Sequence, residues 1–291
     1  MSGNKSKIIA FNYFGGKFTW LEELYKYFPS DFIHLVDVFG GSFAVSLNYR
    51  KNIIKTSNEI NQNITNFFEV LRDHEDDLIK RLELTPCSKE EYNRCWEYDL
   101  SGDKIESARR LYVRLRQSFF SLGSARKNKG WHMAKTQNNC QGGETVSKWN
   151  NAIPKLHEVA IELRRNIQIT NYDFIECIDK IDFEGAFFYC DPPYPYETRA
   201  STNDYLYEFS IDQHKKLAER LHAIKGKAMI SSYQSELYDE LYKDWTRIEL
   251  PVKMNNIRSS KVQEIIWFNY PISESNNWQP DLFNTKQIVK K

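Results

Sequence analysis

The chain has 291 residues, of which 41% are hydrophobic and 27% charged, and a formal net charge of +1. That length supports a sizeable core without a disulfide or metal staple, and the near-neutral charge means that a polyanion partner would be met by a local basic patch rather than by the field of the whole molecule. Five cysteines without a C-x-x-C pair, no apolar core of signal-peptide length in residues 1–10, and no apolar run near ~18 residues argue against a disulfide framework, a thiolate zinc site, secretion and a membrane span.

Residues 33–39 are an apolar run stopped by Gly40-Gly41-Ser42, after which Phe43, Ala44, Leu47 and Tyr49 predict a helix. Residues 51–56 predict a second strand with Glu59 close behind it, and Ile64, Phe67, Phe68, Leu71 and Leu78 predict a helical stretch after that. Residues 69–117 are charged and helical in pattern, with a cap-like Ser88 and an arginine-bearing amphipathic segment over 104–120. Between 121 and 148 the composition turns to Gly, Ser, Asn, Gln and Lys; Arg126, Lys127, Lys129, Trp131, His132 and Lys135 crowd there in what reads as an exposed basic loop. Strands at 167–170, 186–190, 228–232 and 264–269 then alternate with helices at 211–224 and 236–242, which argues for an α/β sheet. His132, His157 and His214 lack metal-ligand spacing, and His34 sits in an apolar strand as a core histidine would, so no metal is expected.

The strongest chemical signal follows the strand at 187–190, where Asp191-Pro192-Pro193-Tyr194 places an acid, two rigid prolines and an aromatic at a strand's carboxyl end. Ligands bind at that edge in open α/β sheets. The prolines fix φ and bring no N–H, so the turn offers acceptors: the Asp191 carboxylate and the Pro192 carbonyl. Two acceptors aimed at the hydrogens of an exocyclic amine draw its delocalised lone pair out toward an electrophile, and an aromatic such as Tyr194 can stack on a base taken out of its duplex.

This tetrapeptide after an aromatic strand resembles the amino-methyltransferases, above all the Dam-like DNA adenine methylases. Asn12-Tyr13-Phe14-Gly15-Gly16-Lys17 is similar to the family's amino-terminal glycine-glycine-lysine motif, whose lysine and aromatic neighbours face the cofactor's methionine end. Asp37-Val38-Phe39-Gly40-Gly41-Ser42-Phe43 is similar to its cofactor turn, except that Phe43 stands where a second glycine is expected. Glu59, after the second strand, stands where nucleotide-binding sheets hold ribose hydroxyls. Asn171-Tyr172-Asp173-Phe174 resembles the segment that contacts the cofactor's adenine, and 209–214 and 264–269 resemble later family segments.

The resemblance implies a Rossmann-like S-adenosylmethionine-dependent methyltransferase sheet built from 1–61 and 150–291, interrupted by a mainly helical target-recognition insert at 62–149. It implies Asp191, Pro192, Pro193 and Tyr194 as catalytic residues. Tyr13, Phe14, Gly15, Lys17, Asp37, Phe39, Gly40, Gly41, Ser42, Glu59, Asp173, Phe174 and Asp191 would contact S-adenosylmethionine. Double-stranded DNA would be held by Arg116, Arg126, Lys127, Lys129, Trp131, Lys135 and Arg199, cations and an aromatic suited to phosphate contact. The expected product is N6-methyladenine at a specific site, in the cytoplasm of a bacterium or its phage, with a cognate restriction endonuclease as a candidate partner. Asp rather than Ser at position 191 favours adenine. A cytosine-N4 or RNA adenine methyltransferase, and a module that binds nucleic acid or cofactor without catalysis, stand as alternatives.

Overall fold

The computed structural model of the protein describes residues 6–13, 15–96, 102–118, 130–134, 138–139, 142–198, 208–255 and 260–272. A short helix α1 (Leu21–Tyr25) leads to β1 (His34–Asp37), α2 (Ala44–Asn48) and β2 (Ile54–Asn58). Helices α3 (Gln62–Asp73), α4 (Glu75–Glu83), α5 (Lys89–Arg94) and α6 (Lys104–Gln117) follow, then a small ladder of β3 (Asn138–Asn139) with β4 (Gly142–Gly143). Next come α7 (Glu144–Ala152), α8 (Leu156–Asn166), β5 (Ile167–Thr170), α9 (Phe174–Ile181), β6 (Ala186–Cys190), α10 (Ile211–His222) and β7 (Lys227–Ser232). The described chain closes with α11 (Glu236–Leu241), β8 (Thr246–Glu249), a hairpin of β9 (Lys253–Asn255) and β10 (Ser260–Val262), and β11 (Ile265–Phe268).

The main sheet has seven strands in the order β5-β2-β1-β6-β7-β11-β8. The first five are parallel, and β11 runs antiparallel between β7 and β8. The chain walks outward from β1 through β2 to β5 and then returns to β6 on the other flank of β1, so the connections diverge between β1 and β6. That divergence opens a crevice at the strands' carboxyl ends. Asp37 lies opposite Tyr189 in the ladder, so the glycine turn after β1 and the Asp191 turn after β6 leave the sheet side by side.

Both faces of the central strands are covered, which is why they read as continuous apolar runs. Strand pleating sends Leu35, Phe187, Tyr189, Met229 and Ile266 into one core with Trp20, Leu24 and Phe28. It sends Val36, Phe188, Cys190, Ile230 and Trp267 into another, under α9, α10 and α11. A third core joins Phe11, Phe43 and Leu47 to Phe67, Phe68, Leu82, Tyr112, Trp149, Leu163 and Ile167, so the helices of the 62–149 stretch share their interior with the edge of the sheet.

The predicted helix through Ile64 and Leu78 is two helices, because His74 (φ −133°, ψ 41°) leaves helical space and lets α4 turn. His34 is a satisfied core residue, with Nε2 2.8 Å from Thr56 Oγ1; burial holds its pKa below the usual value. Lys55 is fully buried, and its ammonium donates to the carbonyls of Ser46 and Tyr49 (both 3.1 Å) and to Glu162 Oε1 (2.9 Å), which ties the carboxyl end of α2 to α8. The described cysteines, Cys87, Cys95, Cys177 and Cys190, are free thiols.

Candidate active site

The turn after β1 is held by main-chain hydrogen bonds. Gly40 N–H donates to Asn58 O (2.8 Å), Phe43 N–H to Gly40 O (2.8 Å), and Gly41 N–H to Glu59 Oε2 (2.8 Å). A side chain at Gly40 would begin 2.7 Å from the Phe43 ring, and Gly41 sits at φ +52° with the Tyr13 ring 3.0 Å from where a Cβ would stand. Both glycines are therefore required by space or by backbone conformation. Phe43 itself adopts the left-handed conformation (φ 56°, ψ 22°) that a glycine would take without strain, and it begins α2. Its ring stacks on Phe68 of α3 at 4.0 Å and 14°. The aromatic substitution thus joins the turn to the helices of the 62–149 stretch.

A cleft of about 410 Å³ opens along the carboxyl ends of β1, β2, β5 and β6. Its walls include Tyr13, Gly15, Lys17, Asp37, Phe39, Gly40, Gly41, Ser42, Glu59, Asp173, Phe174, Asp191 and Pro193, together with Tyr172, Glu208 and Phe209. At the β5 end, Phe39 lies 6.0 Å from Phe174 and 5.6 Å from Phe209, giving an aromatic corner. Asp173 caps α9 by accepting from Ile175 N–H (3.0 Å) while lining the cleft. Glu59 accepts from Gly41 and Asn61 N–H (2.8 and 2.9 Å), and burial raises its pKa against the pull of those two donors.

Asp37 is a strongly perturbed carboxyl in the cleft. Burial, with Asp191 and Glu59 nearby, raises its pKa to about 8, opposed by the Ser46 main-chain N–H and by Lys17. Its Oδ2 finds no hydrogen-bond partner among the described residues. A buried acceptor without a donor is costly in isolation and marks a place where a ligand can bind.

The Asp191 turn is clamped from the amino-terminal segment. Lys17 is 3% exposed, and its ammonium donates to Asp191 Oδ1 (2.7 Å), Asp191 Oδ2 (2.8 Å), Tyr194 Oη (2.6 Å) and Gly15 O (3.1 Å). Burial works against the lysine's charge, but Asp191 and Glu264 outweigh it and hold its pKa above 10.5. Ser231 Oγ donates to Asp191 Oδ1 at 3.0 Å and lies 2.9 Å from Tyr189 Oη. Tyr194 is 3% exposed; its hydroxyl donates to Glu264 Oε2 (2.6 Å) and its ring meets Tyr233 edge-on at 4.8 Å. Pro192 is buried, while Asp191 and Pro193 reach the cleft.

A strand-borne acid, two prolines and a tyrosine beside a glycine-lined cleft match what amino-group methylation requires, and comparison with known proteins decides the family. A family model described as D12 class N6 adenine-specific DNA methyltransferase matches residues 13–257. The chain belongs to that family. It is also 23% identical over 268 residues to a DNA adenine methylase of Serratia marcescens, an alignment that covers 87% of this chain and 94% of the relative. Membership makes the chain an adenine-specific DNA methyltransferase with the Rossmann-like α/β fold of the class, and it implies DNA as substrate and S-adenosylmethionine as methyl donor.

The described members of the cofactor set converge on the cleft. Lys17 lies there too, yet its ammonium is engaged by Asp191, Tyr194 and Gly15 rather than standing open toward a ligand. Arg116 and Trp131 lie in the 62–149 stretch: Arg116 donates to Lys148 O (3.2 Å) and Trp131 Nε1 to Gln117 Oε1 (3.2 Å). Phe14, Arg126, Lys127, Lys129, Lys135 and Arg199 lie outside the described residues. Sequence reading missed the contacts that Ser231 and Glu264 make with this cluster. The available signal was an acid directly preceding the buried β11, whose start lies at the same sheet edge as Asp191. Among the described residues no group of three or more His, Cys, Asp or Glu side chains could hold a metal ion, and no helix is long and apolar enough to cross a membrane.

Proposed function

We propose that the cleft binds S-adenosylmethionine and that the chain methylates the N6 amine of an adenine turned out of duplex DNA at a specific sequence. The observation that carries this reading is Asp191 on the cleft wall, held at both oxygens by Lys17 and at Oδ1 by Ser231. A carboxylate oxygen accepts more than one hydrogen bond, so Asp191 can still take an N–H of the amine, and the Pro192 carbonyl supplies the second acceptor. The cofactor fits the residues present: glycines without room for side chains, an unpartnered Asp37 Oδ2, Glu59 for ribose hydroxyls, and the Phe39–Phe174–Phe209 corner for a planar ring.

When bound, S-adenosylmethionine supplies a methyl group activated by its sulfonium. Asp191 and Pro192 orient the amine so that its lone pair points into the cleft, and the protein contributes orientation and electrostatics without a covalent enzyme intermediate. Tyr13 and Pro193, which line the cleft, receive the base; Tyr194, expected from the sequence to stack on it, is instead buried and held by Lys17 and Glu264. The 62–149 insert recognises the target, with Arg116, Arg126, Lys127, Lys129, Trp131 and Lys135 as its DNA contacts, and Arg199 in the segment after the Asp191 turn adds another. Protection of host or phage DNA in the cytoplasm against a cognate restriction endonuclease would follow from such a mark.

Asp191→Ala separates chemistry from binding. The expected result is cofactor affinity close to wild type by fluorescence titration, with methyl transfer to DNA lost. Methylation at the wild-type rate by this variant would overturn the reading.

A further inference from the structure

Glu264 stands just before β11, and this strand runs antiparallel to β7, so its start lies at the edge where the parallel strands end. Its carbonyl accepts from Leu250 N–H beyond β8, its Oε2 accepts the Tyr194 hydroxyl (2.6 Å), and its Oε1 lies 3.7 Å from Lys17 Nζ. Lys17 is thus shared by two carboxylates from different elements, Asp191 at 2.7 Å and Glu264 at 3.7 Å, with the Tyr194 hydroxyl bridging lysine to glutamate. The titratable groups facing this cluster are Lys17, Asp191 and Tyr194, with Tyr189 on β6 and Tyr233 after β7. Glu264 does not reach the cleft, and it is 4% exposed.

We infer that Glu264 is a positioning residue for methyl transfer: its charged carboxylate shares Lys17 with Asp191 and fixes Tyr194, leaving Asp191 able to accept the amine N–H. This rests on Asp191 being the N6 acceptor. In a buried site the attraction between ions is strong. With Glu264 neutral, Asp191 alone balances the lysine, and the ammonium competes more closely with the weaker adenine donor for the same oxygens. Burial raises the pKa of Glu264, reinforced by Asp191 and opposed by Lys17 and the Tyr194 hydrogen bond. Protonation at low pH therefore produces the same neutral state as an amide substitution, and the wild-type kcat falls on the acid side.

The test is Glu264→Gln, followed by kcat and KM for S-adenosylmethionine across pH with DNA as substrate, and by thermal melting as a check on folding. The expected result is a roughly 10-fold to 100-fold lower kcat at neutral pH, an unchanged KM for the cofactor, and loss of the wild-type acid limb. A wild-type kcat, or a lowered kcat that keeps the wild-type acid limb, overturns the inference. If Glu264→Gln does not fold, Tyr194→Phe decides. It removes a hydrogen bond that favours the charged glutamate and should move the acid limb to higher pH, so an unmoved limb overturns the inference. Asp191→Ala run alongside separates the two failures, because activity in that variant refutes the reading of Asp191 itself.

Discussion

Phe43 is the one non-glycine residue with positive φ among the described residues, and it sits in the turn after β1 where a glycine is expected. An L-residue in that conformation costs about 1–2 kcal/mol relative to right-handed backbone. The ring offsets that cost by being fully buried and stacked on Phe68 at 4.0 Å. Removing a buried phenylalanine ring costs about 3–5 kcal/mol. Phe43→Gly should therefore lose the ring, regain the conformational strain, and end about 2–4 kcal/mol less stable than wild type. Phe43→Ala loses the ring without relieving the strain, so it should fall about 1 kcal/mol below the glycine variant once glycine's greater chain entropy is counted. Urea unfolding of the three proteins at constant m-value measures these differences through the midpoints. A glycine variant about 0.5–1 kcal/mol less stable than the alanine variant, the deficit that chain entropy alone gives, would show that position 43 carries no strain. A glycine variant as stable as wild type would show that the buried ring does no more than offset the strain, well short of about 3–5 kcal/mol.

Asp37 has a folded pKa of about 8 against about 3.9 unfolded, so between those values the native state holds a proton that the unfolded state does not. Its contribution is complete below about pH 4 and is lost as the pH rises through about 8; Asp37→Asn should flatten the fall in stability between about pH 5 and about pH 8 by up to about 1.4 kcal/mol per pH unit. Urea midpoints in both proteins across that range read it out, and identical slopes would refute the assignment of the buried proton to Asp37. Arg116→Ala should lower the slope of log K for DNA against log salt by about 0.9, as expected for one lost phosphate contact. An unchanged slope would confine Arg116 to its 3.2 Å bond with the Lys148 carbonyl.

The sheet was legible because its central strands are buried on both faces, so 186–190 and 228–232 stand out as apolar runs. β8 was not, because Thr246–Glu249 is a polar, partly exposed edge strand without that signal. The Asp191 turn and the glycine turn were legible because each packs its chemistry into a few consecutive residues. The clamp on Asp191 was not: Lys17 lies 174 positions from it, and Tyr194 and Glu264 are 70 apart, contacts set by which strands neighbour each other. Lys17, expected to face the cofactor, lines the cleft with its ammonium bound to Asp191. Phe43 departs from the glycine pattern with a feature visible only in three dimensions, its stack on Phe68 of α3.

The most direct test of the account is the product. DNA incubated with the protein and methyl-labelled S-adenosylmethionine, digested to nucleosides and separated, should carry the label in N6-methyladenine, and Asp191→Ala should leave the DNA unlabelled. Label in N4-methylcytosine, or N6-methyladenine formed equally well by the variant, would contradict it.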